Sequence, residues 1–207
     1  MEVRKVDLKR ELQHLYHPPA KEYMVVTILP MSFLMVHGRG DPSTSREYKD
    51  AIATLYAVAY PLKFAAKKQL GIDYPVMPLE GLWWVDDERA DFFTQDREHW
   101  HWTAMMMQPD FVSADMVHET IREVKSKKRP PAIERLWFET YEEGVAVQIM
   151  HIGPYSTEGQ TISALHTFIA DMGHVPRGKH HEIYLSDPNR TAPERLKTVI
   201  RQPVRPR

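Results

Sequence analysis

Two periods of apolar and polar positions alternate along this chain. Tyr23 to Leu29 and Met31 to Val36 are β-rich runs separated by Pro30, which has no N–H to give a ladder, and they predict two consecutive strands. Past His37-Gly38-Arg39-Gly40-Asp41-Pro42 the period lengthens. From Ser43 to about Lys68, Tyr48, Ile52, Leu55, Ala59, Leu62 and Ala66 recur at helical spacing, with Pro61 expected to kink or divide the helix. Gly71 to Pro75 reads as a loop, Pro78 to Val85 as a short strand, Asp86 to Asp96 as a polar connection and His99 to Met107 as a strand of strict alternation.

Val112 to Lys128 then forms an amphipathic connector helix whose basic end, Lys125 to Arg129, suits the helix dipole and precedes Pro130-Pro131. After it the order repeats: strand Ile133 to Tyr141, turn Glu142-Glu143-Gly144, strand Val145 to His151, helix Ser156 to Met172, and strands His181 to Leu185 and Arg195 to Gln202. Gly40-Asp41-Pro42 and Gly153-Pro154-Tyr155 each end a strand before a helix that opens with Ser and Thr. Glu80 and Glu182 each interrupt the first strand after the helix. The fold class expected is α+β: one domain over residues 1–207, made of pseudo-twofold duplicated β-β-α-β-β units with antiparallel sheets and a central ligand cleft. Repeat one covers about 23–107, the connector helix about 112–128 and repeat two about 133–203.

Composition narrows the function. A formal net charge of −1 gives no global basic field, so nucleic acid is not an expected partner. The longest apolar stretch, Met24 to Val36, is broken by Thr27, Pro30 and Ser32 and is too short for a bilayer, so no membrane contact is expected. The N-terminus has scattered charges and no apolar signal region. With the absence of cysteine, this points to a cytoplasmic protein without disulfides, thiolate metal sites or a cysteine nucleophile. Oligomeric state is left open, with a monomer compatible. The 11 histidines show no zinc-binding spacing, and no nucleophile elbow, phosphate loop or dinucleotide fingerprint is present, so neither metal nor cofactor is expected.

Strand alternation assigns faces. Glu182, Tyr184 and Ser186 share one face and Ile183 and Leu185 the other, and the apolar pair is expected to pack on the helices. By the same parity Glu80, Leu82 and Trp84 lie together, as do Trp100 and Trp102, and Trp137, Glu139 and Tyr141. If the non-helical faces of the two units look at each other, Trp84, Trp100, Trp102 and Trp137 line a groove with Glu80 and Glu182, the aromatic walls and few polar groups of a small-molecule pocket. A glutamate among indoles is desolvated, which raises its pKa and prepares it as a general acid or base, or as the counter-charge of a cationic ligand.

The run Val147-Gln148-Ile149-Met150-His151-Ile152-Gly153-Pro154-Tyr155 and the run His181-Glu182-Ile183-Tyr184-Leu185-Ser186-Asp187-Pro188 resemble the GyrI-like small-molecule-binding family. That family is related to the effector-binding domains of AraC-type and MerR-type multidrug regulators. Pro78-Leu79-Glu80-Gly81-Leu82-Trp83-Trp84 is similar to its stand-alone bacterial branch. The resemblance implies a ligand cleft at the unit junction with Glu182 as its central acid, Trp102, Trp137, Trp100, Glu80, Trp84 and Tyr155 binding a planar aromatic ligand, and hydrolysis of DNA-alkylating cyclopropanoid compounds as detoxification. Glu182 would activate water and Tyr184 would hydrogen-bond the substrate carbonyl. Gly40-Asp41-Pro42 stands where the family has Gly-Pro-Tyr, which takes that turn out of the expected site. Two alternatives are a non-catalytic multidrug-binding or sensing module and a gyrase-inhibitor-like interaction protein. The latter predicts an exposed apolar patch and no enclosed cleft. No helix-turn-helix precedes Tyr23, so the chain is not read as a one-chain transcription factor.

Overall fold

The computed structural model describes residues 3–87 and 92–207. In chain order the elements are β1 (Arg4–Lys5), α1 (Leu8–Glu11), α2 (Gln13–Tyr16), β2 (Met24–Ile28), β3 (Met31–Arg39), α3 (Arg46–Leu70), β4 (Ile72–Asp73), β5 (Leu79–Trp84), β6 (His101–Gln108) and α4 (Ala114–Lys127). They continue with β7 (Leu136–Tyr141), β8 (Gly144–Ile152), α5 (Glu158–Asp171), β9 (His174–Pro176), β10 (His180–Tyr184) and β11 (Lys197–Pro206).

Eight strands follow the order β2-β8-β11-β10-β5-β6-β3-β7, all pairs antiparallel, and β9 joins β11. The order is symmetric about the central β5–β10 pair: β6 and β11, β3 and β8, and β7 and β2 stand at equal distances from it. Each unit lends its first strand to the other, since β2 pairs with β8 and β7 with β3. The two halves therefore join edge to edge in one continuous sheet, which corrects the expectation of two sheets facing each other.

Helices α3 and α5 lie on one side of the sheet. Tyr48 of α3 packs edge-to-face on Trp102 of β6, with ring centroids 4.9 Å apart, and Thr161 of α5 hydrogen-bonds His151 of β8. Register carries this face across the sheet as Trp83, Gly81, His180, Glu182 and Tyr184. The strand side that meets the helices is thus the one with Glu182, not the one with Ile183. A polar pattern alone cannot say which face a helix covers, because a buried polar set with internal partners reads like a solvated one.

Pro61 does not divide α3, which runs unbroken for 25 residues. The buried Val58, Ala59 and Leu62 on either side of it hold the helix to the sheet. That packing outweighs the one lost i−4 hydrogen bond. Ser45 caps its start by accepting from the Tyr48 N–H at 3.2 Å.

The opposite face carries the core residues Phe33, Met35, Met105 and Met107 and, toward β8 and β11, is covered by the N-terminal segment. This segment, unassigned in sequence, supplies α1, α2 and β1, the last pairing with β4 inside the expected Gly71 to Pro75 loop. Ile133–Arg135 forms a 3-10 turn ahead of β7. Phe92–Thr94 and Arg97–His99 are 3-10 turns within and beyond the expected polar connection, of which residues 88–91 lie outside the described part. No helix among the described residues is long and apolar enough to cross a membrane.

Candidate functional site

Strand alternation at β10 sends Glu182 and Tyr184 up between α3 and α5 and His181 down through the sheet. The two sides are built differently.

On the helix side, Tyr184 donates its hydroxyl to Glu182 Oε2 at 2.7 Å. Glu182 is only 8% exposed, and His180 Nε2 lies 3.3 Å from its other oxygen. Tyr48 leans in from α3 within hydrogen-bonding reach of Tyr184. Tyr155, just before α5, sets its ring edge-on to Tyr184 with centroids 5.8 Å apart. Burial and the neighbouring Glu182 charge push both Tyr48 and Tyr184 well above the ordinary phenol value. They stay protonated and serve as donors.

The aromatic wall begins at Gly81, directly opposite Glu182 in the sheet. A Cβ at Gly81 would lie 2.8 Å from Trp83 Nε1, so the missing side chain lets that indole lie across the strand beside the acid. Gly38 does the same for Trp102, whose ring occupies the space of any side chain at position 38. Trp83 meets Trp100 edge-to-face at 5.7 Å. Phe92 covers the near end of the site, 5.0 Å from Trp100 and 4.8 Å from His180. The indole N–H groups of Trp83, Trp100 and Trp102 are buried with no hydrogen-bond partner among the described residues. Orphaned donors beside an acid are uncommon in a settled core and mark a place where a ligand can bring acceptors.

A second acid closes the group. Glu158, in the first turn of α5, is 6% exposed. Burial, reinforced by the Glu182 charge, raises its pKa to about 9, with Thr198 and Arg97 pulling the other way. His151 sits behind it, between Thr161 at 2.8 Å and Thr157 at 3.2 Å, and burial lowers its pKa. At the far end Tyr155 is 39% exposed and gives the site its rim.

Beneath the sheet the polar atoms are paired. His181 contacts Glu80 Oε2 through Nε2 at 2.9 Å and Glu143 Oε1 through Nδ1 at 2.9 Å. Tyr16 donates to Glu80 Oε1 at 2.7 Å. Arg201 donates to Glu143 at 3.0 Å, to Gln148 at 2.9 Å and to the Leu15 carbonyl at 2.8 Å, and Gln148 donates to the His14 carbonyl at 2.7 Å. An imidazole bonded to a carboxylate at both nitrogens is an imidazolium. Accordingly, against burial, Glu143 and the two hydrogen bonds raise the His181 pKa, while the His181 and Arg201 charges outweigh burial and hold Glu143 at about 2. Two carboxylates and two cations make the cluster neutral, and it fastens the N-terminal segment to the sheet.

Of the residues expected from sequence, the structure brings together Glu182, Tyr184, Trp102, Trp100 and Tyr155. Glu80, Trp84 and Trp137 are on the other side. Because Glu182 opposes Gly81, Glu80 is one residue out of phase with it and points to the opposite face. Trp84 stacks on His101 at 5.6 Å under Lys179, and Trp137 donates to Glu139 at 3.0 Å, both away from Glu182. Tyr48, Trp83, Phe92, His180 and Glu158 complete the site and were not singled out. In sequence Tyr48 is one of the helical-period positions and Phe92 falls within the expected polar connection, while a glutamate opening a helix carries the signal of a solvated first-turn acid. Among the described residues an open concavity of about 490 Å³ adjoins His151, Thr161 and Tyr23, and another of about 520 Å³ lies among Lys9, Arg10, Tyr16 and Leu185.

The model of the GyrI-like small molecule binding domain matches residues 21–205. Among solved structures, an uncharacterized conserved protein from Listeria innocua is 38% identical with a TM-score of 0.87, covering 97% of this chain and 100% of its own. A hydrolase from Listeria innocua is also 38% identical, with a TM-score of 0.83, covering 98% of this chain and all of its own. The C-terminal domain of EcmrR, 14% identical with a TM-score of 0.55 over 90% of this chain and 98% of that one, shares the fold. No curated protein matches the chain. With nearly its whole length matched by one family model and the β5–β10 junction seating a buried acid, the chain belongs to the GyrI-like small-molecule-binding domain family.

Proposed function

We propose that this protein binds planar aromatic small molecules between α3 and α5 and hydrolyses cyclopropanoid alkylating compounds, removing their ability to modify DNA. The observation that carries this reading is a buried Glu182, oriented by Tyr184 at 2.7 Å, beside buried indoles with uncommitted N–H groups. The resemblance to a hydrolase from Listeria innocua supports a catalytic rather than a purely binding role.

In this reading Glu182 takes a proton from a water aimed at a cyclopropane carbon. The new C–O bond forms as the strained C–C bond breaks, and its electron pair passes into a conjugated carbonyl. Ring strain supplies driving force, so positioning the water and stabilising the oxyanion are the protein's tasks. Tyr184 serves Glu182 here, since its hydroxyl already donates to that carboxylate. Phe92 and Trp100 keep bulk water from the near end, and Tyr155 rims the entrance.

Incubating the protein with a cyclopropane-fused dienone and following addition of water by mass spectrometry tests the reading. Glu182→Gln should lower turnover by about 10²- to 10⁴-fold with binding retained. Equal rates in the two proteins would remove Glu182 from the chemistry.

A further inference from the structure

Glu158 is an unusual first-turn acid. Such residues ordinarily stay in water, where they complement the helix dipole. This one is turned inward, 6% exposed, and its Oε1 has no hydrogen-bond partner among the described residues. Glu182 and Tyr184 face it from β10, Thr198 from β11, Arg97 from the turn before β6 and Tyr155 from the turn just before α5. Glu143, Glu80 and His181 lie on the opposite side of the sheet. The site thus holds two carboxyl groups in contrasting circumstances. Glu182 accepts the Tyr184 hydroxyl, while Glu158 is close enough to feel that charge and its Oε1 has no hydrogen-bond partner among the described residues.

We propose that Glu158 is the general acid of this site, giving its proton to the oxygen acceptor of the ligand while Glu182 acts as general base. The inference rests on the hydrolytic reading above and deepens it. Tyr184 is already committed to Glu182, so the developing phenolate needs another donor, and Glu158 supplies it. Water loses a proton to Glu182, its oxygen bonds to the ring carbon, and the ring C–C pair becomes the electrons of the dienolate. The carbonyl oxygen takes the Glu158 proton, and the product leaves as a phenol. Exchange with solvent returns a proton to Glu158 and removes one from Glu182. One carboxyl group that holds its proton beside another that accepts one is the arrangement this division of labour needs. At pH 7 burial and the Glu182 charge keep Glu158 protonated, its pKa being about 9.

The test compares wild type, Glu158→Gln and Glu158→Ala on the same cyclopropane-fused dienone, reading kcat against pH and Kd by quenching of tryptophan fluorescence. Wild-type kcat should fall above about pH 9 as the acid ionises. Glu158→Gln, which keeps the shape and a donor but has no acidic proton, should lose about 100-fold in kcat and the alkaline limb, with Kd changed by less than about threefold. A Glu158→Gln protein with wild-type kcat, or with the alkaline limb intact, overturns the role of Glu158 and leaves the hydrolytic reading standing. A wild type that binds the dienone without turnover removes both the acid and the hydrolysis. One that does neither removes the functional reading itself. A carboxyl-carbon NMR titration of the ligand-free wild type is independent of variant folding: Glu158 titrating in the ordinary carboxylate range overturns the proposal.

Discussion

Glu182 and His181 are neighbours on one strand, both buried, and only the direction of the side chain separates them. Beneath the sheet, His181 finds a carboxylate for each nitrogen, and those carboxylates are in turn held by Tyr16 and Arg201. Above it, Glu182 has one hydroxyl donor, and the indoles beside it keep N–H groups without acceptors among the described residues. Burial of polar groups is common to both faces, and completeness of pairing is what differs. A fully paired cluster has little left to offer a ligand and much to offer the fold, whereas an incompletely paired one costs stability and retains binding capacity.

Four experiments sharpen or break that contrast. The largest stability effect is expected beneath the sheet. His181→Leu leaves Glu80 and Glu143 facing each other with one cation fewer, and should cost about 3–5 kcal/mol in urea denaturation. A loss as small as that of an exposed substitution would show that the cluster is not what fastens the N-terminal segment. Acid should act on the same cluster. Because Glu143 is held at about 2, its stabilisation is present above the ordinary carboxylate value of 4.5 and is lost as pH falls toward about 2. Denaturation midpoints across that window should report a loss on the order of 3 kcal/mol. A midpoint flat through it would contradict the pairing. On the other face, Tyr184→Phe should reduce kcat by about tenfold with little change in unfolding, since the hydroxyl orients Glu182 and holds no element in place. A comparable fall in stability would make Tyr184 a structural residue. The smallest effect belongs to Trp137→Ala. Its indole bonds Glu139 on the far face, so affinity for the dienone should stay within about twofold, and a large loss would place the ligand on that side.

Much of the fold was legible because period and punctuation agree. Pro30 divides two strands, the i, i+3, i+4 series from Tyr48 onward writes α3, and the alternation read over His99 to Met107 writes β6, which begins two residues later. What periodicity conceals is which face meets what. Glu80 and Glu182 occupy corresponding strands, and equating them is off by a single residue, enough to send one down into the charge cluster and the other up into the site. The site's second acid was hidden for a different reason: a glutamate opening a helix carries the same signal whether it faces water or a neighbouring carboxylate. Arg201 and Glu143 were invisible as a pair because 58 residues separate them in sequence and only the β8–β11 register brings them together.

The exchange of first strands has a consequence for any attempt to divide the molecule. With β2 completing the edge beyond β8 and β7 the edge beyond β3, the halves are clasped through one another rather than laid side by side. A chain severed in the stretch between α4 and β7 would leave two pieces, each missing a border strand that only its counterpart carries. Neither piece could be trimmed to self-sufficiency, yet mixing the two should rebuild the whole, so such split halves would report on each other's presence.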